Sequence, residues 1–251
     1  MIFDMSKAEW QQCVLNKYYY GKQGWKDGTT QFLDMVSKAV GSSSDILEIG
    51  AGPTNKKTAF LATFGRVTGL DVDPVVKTNE YCHEAFVYDG IHMPFNDGSF
   101  DIAIADFVLE HVEHPAKLAS EIYRVLRPEG RFIFRTPNLW HYVSLAAKIT
   151  PHWFHNCVAN RMRTLPDGTH EPYPTYHRMN TKRACIRTLT EAGFSIEKVA
   201  MIEPEPSYGL ASPVLFYPLM AWERLLNSSS LFEIFRVNIL CVAKANKKVS
   251  V

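Results

Sequence analysis

Two glycines and two acidic residues form the part of this chain whose residue types and spacing favour ligand chemistry. Glu48 lies at the end of an apolar run and precedes Gly50 and Gly52, and Asp71 follows 21 positions after Gly50, at the end of the next run. Glycines at such a turn let the backbone approach a ligand closely. A carboxylate after the second strand of a doubly wound sheet accepts hydrogen bonds from ribose hydroxyls. The spacing therefore predicts a nucleoside-binding site.

The position three residues after Gly52 indicates the kind of nucleoside. Dinucleotide sites have a third glycine there, so that a helix N-terminus can meet a pyrophosphate, whereas this chain has Asn55. The carboxylate of Glu48 would repel a pyrophosphate and suits a cation. S-adenosylmethionine has a ribose, an adenine, a sulfonium and an α-amino group, and it has no phosphate. The segment therefore favours S-adenosylmethionine over a nicotinamide dinucleotide.

The elements that position these residues follow from the hydrophobic pattern. Between Asp45 and Thr136, short apolar runs alternate with helical patterns, which is typical of an α/β fold with a parallel sheet covered by helices on both faces. Strands are predicted at 45–49, 66–70, 85–88, 101–105, 131–135, 195–202 and 234–243. Helices are predicted at 56–64, 116–126 and 181–192, and in two pieces within 7–40. Segment 208–226 is predicted to be a buried helical cover, with a membrane anchor as the alternative.

Six groups of residues in a fixed order carry a resemblance to a known family. They are LEIGAG at 47–52, GLD at 69–71, DG at 89–90 with MPF at 93–95, SFDIA at 99–103, VLEHV at 108–112 and RVLRPEG at 124–130. Over residues 45–138 the chain resembles the class I S-adenosylmethionine-dependent methyltransferases, in particular those with a type 11 methyltransferase domain. The resemblance implies a Rossmann-like, mostly parallel sheet of seven strands with the last strand antiparallel. It also implies S-adenosylmethionine as the cofactor and S-adenosylhomocysteine as its product.

The resemblance further implies which residues bind the cofactor. They are Glu48, Gly50, Ala51, Gly52, Asp71, Val72, Asp89, Gly90, Asp106 and Phe107. Asp71 is expected to bind the ribose, and Asp89 and Gly90 are expected to lie beside the adenine. Asp106 and Phe107 are expected to face the methyl group that is transferred.

Candidate residues for catalysis and acceptor binding lie in less regular segments. His141 follows the fifth strand, at the sheet edge where open α/β folds place substrates, so it is a candidate base. His111 is a second candidate, although a structural role that braces its loop is the default expectation for it. Aromatic and basic side chains suit a polar ring or an acid, and the predicted acceptor contacts are Tyr19, Tyr173, Tyr176, His177 and Arg178. For Tyr19, a place in the core is the alternative.

Charge and cysteine content argue against several other classes. The chain has 27 Lys and Arg against 26 Asp and Glu, so no overall field favours nucleic acid. Its 5 cysteines are scattered without a Cys-x-x-Cys pair, which argues against a disulfide framework or a metal site and favours the reducing cytoplasm. Segment 213–222 is about half as long as the roughly 20 residues of a membrane span. We therefore expect a cytoplasmic protein without metal or transmembrane segment, while peripheral membrane contact and the oligomeric state stay open.

The pattern predicts a single domain over residues 1–251. A helical cover at 1–44 precedes a cofactor-binding core at 45–149. A lid or insertion rich in proline and histidine follows at 150–180, and 181–251 completes the sheet. The histidines and the cysteine of the insertion fit no standard zinc spacing.

Three functions are compatible with these residues. The first is methyl transfer to a small-molecule or glycan-like acceptor, by in-line displacement in a cleft that excludes water. A hydroxyl acceptor needs a base such as His141, whereas a thiolate or an amine needs none. The alternatives are a catalytically silent S-adenosylmethionine-binding module and a nicotinamide-dependent oxidoreductase, and Asn55 disfavours the oxidoreductase.

Overall fold

A computed structural model describes residues 6–149 and 173–247. The helices are α1 (Lys7–Tyr18), α2 (Gly28–Ala39), α3 (Lys56–Leu61), α4 (Pro115–Val125), α5 (Tyr142–Ile149), α6 (Lys182–Glu191) and α7 (Pro213–Ser228). The strands are β1 (Ser44–Ile49), β2 (Gly65–Asp71), β3 (Glu84–Val87), β4 (Phe100–Asp106), β5 (Leu126–Pro137), β6 (Phe194–Ile202) and β7 (Asn238–Ala245). Short 3-10 helices lie at Pro74–Thr78, Leu109–His111, Ser207–Ala211 and Ser230–Phe235.

Short polar side chains determine where the first helices begin. Ser6 and Glu9 form a capping box at α1, in which the Glu9 carboxylate accepts from the Ser6 amide at 2.8 Å. Asn55 caps α3, because its side-chain oxygen accepts from the Thr58 amide at 3.0 Å. The residue that replaces the third glycine of a dinucleotide site therefore has a structural role as a helix cap.

The strands form one sheet in the order β3-β2-β1-β4-β5-β7-β6. Strands β1 to β5 pair in parallel, and β7 is antiparallel to both of its neighbours, β5 and β6. This confirms the predicted Rossmann-like sheet of seven strands with its last strand antiparallel. The strand order reverses between β1 and β4, so the carboxyl ends of these two strands border the crevice where open α/β sheets bind ligands.

Both faces of the sheet are covered by helices. Helices α2 and α3 cover one face with Phe32, Val36 and Leu61, which pack on Ile46 and Ile104. Helices α4 and α6 cover the other face, with Leu118, Ile122, Val125, Cys185 and Leu189. Burial of each large apolar side chain contributes about 1.5–3 kcal/mol, so the two layers hold the strand ends in fixed positions.

The observed strands overlap the predicted ones, but β5 begins at Leu126 instead of residue 131, and two further predicted boundaries are wrong for a shared reason. The last strand begins at Asn238 instead of residue 234, because Ser230–Phe235 forms a 3-10 helix capped by the Ser229 side chain. The predicted helix 56–64 ends at Leu61, since Phe64 already leads into β2. Both of these errors arise where apolar residues lie just outside an element, before the start of β7 and after the end of α3.

Helix α7 only partly fits the predicted buried cover. Phe216 and Leu226 are buried, and Phe216 joins the α1 residues Trp10 and Val14 in a small cluster. The opposite side of α7 is apolar and exposed, with Val214 at 80%. In the described parts of the chain, every helix is too short or too polar to cross a membrane.

Candidate cofactor and acceptor site

The two glycines of the loop after β1 are required for different reasons. Both have left-handed backbone, with φ of +68° at Gly50 and +59° at Gly52. A Cβ atom at Gly50 would lie 2.4 Å from Cγ2 of Val108, whereas a Cβ atom at Gly52 would meet nothing within 4 Å. Gly50 therefore permits close packing against the segment after β4, and Gly52 borders open space that a ligand would fill.

Asp71 ties the end of β2 to this loop. Its Oδ2 accepts from the Gly52 amide at 2.9 Å, and its Oδ1 accepts from the Asp73 amide at 3.0 Å. Asn79 stabilises the loop by hydrogen bonds. Its side-chain amide donates to the Pro53 carbonyl at 3.1 Å and to the Thr58 hydroxyl at 3.1 Å. Sequence reasoning missed Asn79, because nothing in its local sequence indicates a contact with a loop 26 residues earlier.

A row of charged side chains lies beneath the loop. Glu48 is fully buried, and its Oε1 lies 3.1 Å from Nζ of Lys57. Nζ of Lys57 is 4.0 Å from Oδ2 of Asp106, and Asp106 accepts from the Arg135 guanidinium at 2.7 and 3.0 Å. Burial raises the pKa of the Glu48 carboxyl, and the ammonium of Lys57 opposes this effect. Sequence reasoning missed Lys57, and it missed Arg135 although a charged residue inside an apolar strand is a visible signal.

Phe107 has an unusual backbone conformation at the end of β4. Its φ is +57°, which is strained for a bulky side chain and is typical of functional sites. Its ring is 41% exposed and lies 4.4 Å from the guanidinium of Arg135. Phe107 and Asp106 therefore form a fixed wall on the β4 side of the crevice, where the resemblance predicts the methyl group.

The predicted adenine residues lie together at the β3 side. An ideal Cβ on Gly90, whose φ is +82°, would lie 3.5 Å from Cγ1 of Val72. Asp89 is exposed and accepts from the Ile91 and His92 amides at 2.8 and 2.7 Å. The hydrogen bond with the His92 ring and the hydrogen bonds from these two backbone amides lower the pKa of Asp89 to about 2. Asp89 thus holds a turn beside Val72, and its contact with an adenine remains a prediction.

Tyr173 connects the segments that follow β2 and β4. Its hydroxyl donates to Oδ2 of Asp73 at 3.1 Å, and its ring centroid lies 6.0 Å from that of His111. Asp73 follows β2 and His111 follows β4, while β1 lies between these strands. The ring of His111 also contacts the Pro174 carbonyl, with 3.0 Å between Nδ1 and the oxygen. Tyr173 therefore lies on the predicted cofactor side and packs against His111, and the role of His111 remains a prediction.

The next three predicted acceptor residues attach to the segment after β4. The amides of Tyr176 and His177 donate to the Glu110 carbonyl at 2.8 and 3.2 Å. Arg178 donates to the Glu113 carbonyl at 2.7 Å, and its guanidinium lies 5.5 Å from the Tyr176 ring. The exposed ring of Tyr176 and the Arg178 side chain remain predicted acceptor contacts. The predicted insertion residues 150–172, including His152, His155, Cys157 and His170, lie outside the described residues.

His141 is buried at the same sheet edge and faces a carboxylate. Its side chain is 2% exposed, and its Nε2 lies 3.5 Å from Oε1 of Glu203, the first residue after β6. Oε2 of Glu203 accepts from the Val237 amide at 2.6 Å, which fixes the carboxylate. Among the described residues, neither ring nitrogen of His141 has a hydrogen-bond partner. Sequence reasoning missed Glu203, because 62 residues separate it from His141.

Tyr19 has a core position, which corrects its prediction as an acceptor contact. It is completely buried, and its hydroxyl donates to Oε2 of Glu223 at 2.9 Å. Burial and this acid raise the pKa of the Tyr19 hydroxyl. Its ring packs against Trp25, with 5.7 Å between the centroids. The side chain has no face left for a substrate, whereas its neighbour Tyr20 is 42% exposed.

The fold and the site together define a class of protein. The loop, the buried acid and the carboxylate after β2 meet at the switch point of a doubly wound sheet, as in nucleoside-binding α/β proteins. The open space at Gly52 and the buried Glu48 fit the ribose and the cationic part of S-adenosylmethionine.

Comparison with known proteins identifies the family. Residues 47–134 match the family model described as a methyltransferase domain. The chain is 33% identical over 158 residues to a protein of Mycolicibacterium smegmatis named "Probable S-adenosylmethionine-dependent methyltransferase", a match that covers 61% of this chain and 52% of that one. Residues 47–134 are therefore similar to the methyltransferase domain of this family, and the predicted resemblance to class I S-adenosylmethionine-dependent methyltransferases and the predicted cofactor are confirmed. It spans about half the length, or less, of the curated relatives it matches.

Solved structures share the fold at low sequence identity. An S-adenosylmethionine-dependent methyltransferase of Mesorhizobium loti matches with a TM-score of 0.54 and 18% identity, over 84% of this chain and 95% of that one. A [4+2]-cyclase matches with a TM-score of 0.57 and 16% identity, over 92% of this chain and 86% of that one. At such identities the likeness concerns the fold alone, and it includes a protein named for another reaction.

Proposed function

We propose that this protein transfers a methyl group from S-adenosylmethionine to a hydroxyl oxygen of a small-molecule or glycan-like acceptor. The observation that carries the proposal is the pair of His141 and Glu203 at the carboxyl edge of the sheet. A buried imidazole without hydrogen bonds and backed by a fixed carboxylate is suited to take a proton from a hydroxyl. A thiolate or an amine acceptor would not require this pair.

The bond changes of the proposed reaction balance without any further reactant. The cofactor supplies a methyl group that is already activated by the sulfonium. The acceptor oxygen forms a bond to the methyl carbon, the carbon–sulfur bond breaks with its electron pair on sulfur, and His141 takes the hydroxyl proton. Glu203 stabilises the imidazolium that forms, in the manner of the carboxylate in other acid–base pairs.

The remaining residues of the site align the reactants and exclude water. Asp71 and Gly52 hold the nucleoside end, and the strained Phe107 beside Arg135 provides a rigid wall at the methyl end. Rigid alignment is the main contribution that a protein makes to an in-line displacement at an activated carbon. Tyr173 covers the cofactor side, so the acceptor is expected to enter from the side of β5 and β6.

A small set of variants tests the role of His141. With S-adenosylmethionine and a panel of hydroxylated acceptors, we expect His141→Asn to lower kcat by about 10²–10⁴-fold, with partial recovery at high pH. Glu203→Gln should give a smaller loss and keep the geometry. Calorimetric affinity for S-adenosylhomocysteine should stay unchanged in both variants. The matched control is His114→Asn, since His114 is an exposed histidine without a side-chain role in its helix cap.

Other results would contradict the proposal in distinguishable ways. Full activity of His141→Asn on a hydroxylated acceptor would exclude His141 as the base and would point to a different base, whereas turnover of thiol or amine acceptors alone would exclude a hydroxyl acceptor. Tight binding of S-adenosylhomocysteine without turnover of any acceptor would favour a catalytically silent binding module. Binding of a nicotinamide dinucleotide in place of S-adenosylhomocysteine would favour an oxidoreductase and overturn the site assignment.

A further inference from the structure

Among the residues that the structure describes, Lys57 is the one cation that contacts Glu48, the buried acid beside the glycine loop. The side chain of Glu48 is completely buried, and that of Lys57 is 17% exposed, with 3.1 Å between Nζ and Oε1. Within the described ranges, neither oxygen of Glu48 accepts a well-directed hydrogen bond. A buried carboxylate without such bonds is costly to keep ionised, and the ammonium of Lys57 is the strongest influence that favours its charge, ahead of the Thr58 side chain.

The other charged and titratable groups around Glu48 cannot replace Lys57. Asp106, on the neighbouring strand β4, opposes ionisation of Glu48 and is itself paired with Arg135 by two hydrogen bonds. Cys82 precedes β3, and its thiol has a pKa raised to about 11, mainly by burial, so it is neutral. Because Asp106 already pairs with Arg135, the charge of Lys57 acts mainly on Glu48.

S-adenosylmethionine differs from adenosine in the charges near this acid. Its methionine part has a sulfonium and an ammonium, both cationic, and one carboxylate. A buried, ionised carboxylate at the loop would attract the two cations, whereas a protonated one would not. The ionisation of Glu48 therefore decides whether the loop distinguishes the cofactor from a neutral nucleoside.

We propose that Lys57 is a positioning residue that keeps Glu48 ionised, so that the loop presents a buried negative charge to the cationic part of the cofactor. The inference rests on the proposed function for the identity of the ligand. In this role Lys57 acts through Glu48 and does not contact the ligand, so the role differs from direct binding of the cofactor carboxylate by Lys57.

The Lys57→Met variant tests this role by equilibrium binding over a range of pH. In this variant the Glu48 carboxyl should take up a proton. The affinity for S-adenosylmethionine should then fall at least about tenfold at neutral pH, because each unit by which the pKa of Glu48 exceeds the assay pH lowers its ionised fraction about tenfold. The affinity should recover as the pH rises. Adenosine, which lacks the charged part, should bind equally well to both proteins.

Matched variants separate this role from structural damage. Lys56→Met removes the same charge from an exposed neighbour on α3 and should leave binding unchanged. Lys57→Arg should restore most of the affinity. Glu48→Gln should lose affinity to the same extent as Lys57→Met, and the double variant should lose no more than either single one.

Three results would overturn the inference, and a fourth would overturn the proposed function instead. Unchanged or pH-independent affinity of Lys57→Met for S-adenosylmethionine would show that Glu48 does not need this cation. Equal losses for adenosine and S-adenosylmethionine would show a structural role only. Lys57→Met should lower the affinity for decarboxylated S-adenosylmethionine as much as it lowers the affinity for the intact cofactor. If the affinity for the decarboxylated form is the same in Lys57→Met and in wild type, Lys57 recognises the cofactor carboxylate directly. If the wild-type protein binds no S-adenosylmethionine, it is the proposed function that fails.

Discussion

Alanine at Gly50 and at Gly52 should have different consequences, although both glycines have left-handed backbone. That conformation costs a residue with a Cβ atom about 1–2 kcal/mol. At Gly50 the new methyl group would also lie 2.4 Å from Val108, and such overpacking adds about 1–3 kcal/mol. We expect Gly50→Ala to lower the free energy of unfolding by about 2–5 kcal/mol and Gly52→Ala by about 1–2 kcal/mol.

Urea denaturation followed by circular dichroism measures these losses, and a second substitution isolates their cause. In a Val108→Ala background the clash is absent, so Gly50→Ala should cost only about 1–2 kcal/mol. Gly52→Ala should remain folded but lose calorimetric affinity for S-adenosylhomocysteine, because its methyl group enters the open space beside the loop. Equal destabilisation by the two alanines, or no relief from Val108→Ala, would refute the packing argument for Gly50.

Three further outcomes are expected. Asp71→Ala should weaken calorimetric binding of S-adenosylhomocysteine by about tenfold or more, since hydrogen bonds to a charged acceptor contribute about 1.5–3 kcal/mol each, and Asp71→Asn should lose less. Tyr173→Phe removes the hydrogen bond to Asp73 and should speed release of S-adenosylhomocysteine in stopped-flow displacement by about threefold to tenfold; an unchanged rate would remove Tyr173 from the cofactor cover. The pKa of Asp89 is lowered from 3.8 to about 2, so its stabilising contribution is complete above pH 3.8 and is lost as the pH falls towards 2. The difference in melting temperature between wild type and Asp89→Ala should therefore shrink over that interval, and a constant difference would show that the turn does not depend on this charge.

The sheet and the cofactor loop are predictable because their signals are local. Each strand is a short apolar run, and the loop residues Gly50, Gly52 and Asp71 follow directly on such runs. The predicted start of the last strand was less exact, since the apolar residues of Ser230–Phe235 precede β7 and resemble it in hydrophobicity without sharing its conformation. Hydrophobicity alone does not distinguish an apolar 3-10 turn from a strand.

The charge partners of the site are not predictable from the sequence, because each pair joins separate elements. Lys57 meets Glu48 only after α3 folds back over β1, and Glu203 meets His141 only after β6 joins the sheet. Tyr19 illustrates the opposite error, since an aromatic run beside a cleft suits a substrate as well as it suits a core. Its hydrogen bond to Glu223 decides for the core, and that contact spans 204 residues.

The position of β7 has a consequence for the order in which the chain is made. Asn238–Ala245 leaves the ribosome after the other described strands, yet it lies between β5 and β6 and pairs with both. Until it is synthesised, β6 has no partner strand and β5 has an open edge, which are hazards for aggregation. A nascent chain that stalls before residue 238 would therefore expose two strand edges at once, and release of a truncated product at that point should yield insoluble protein.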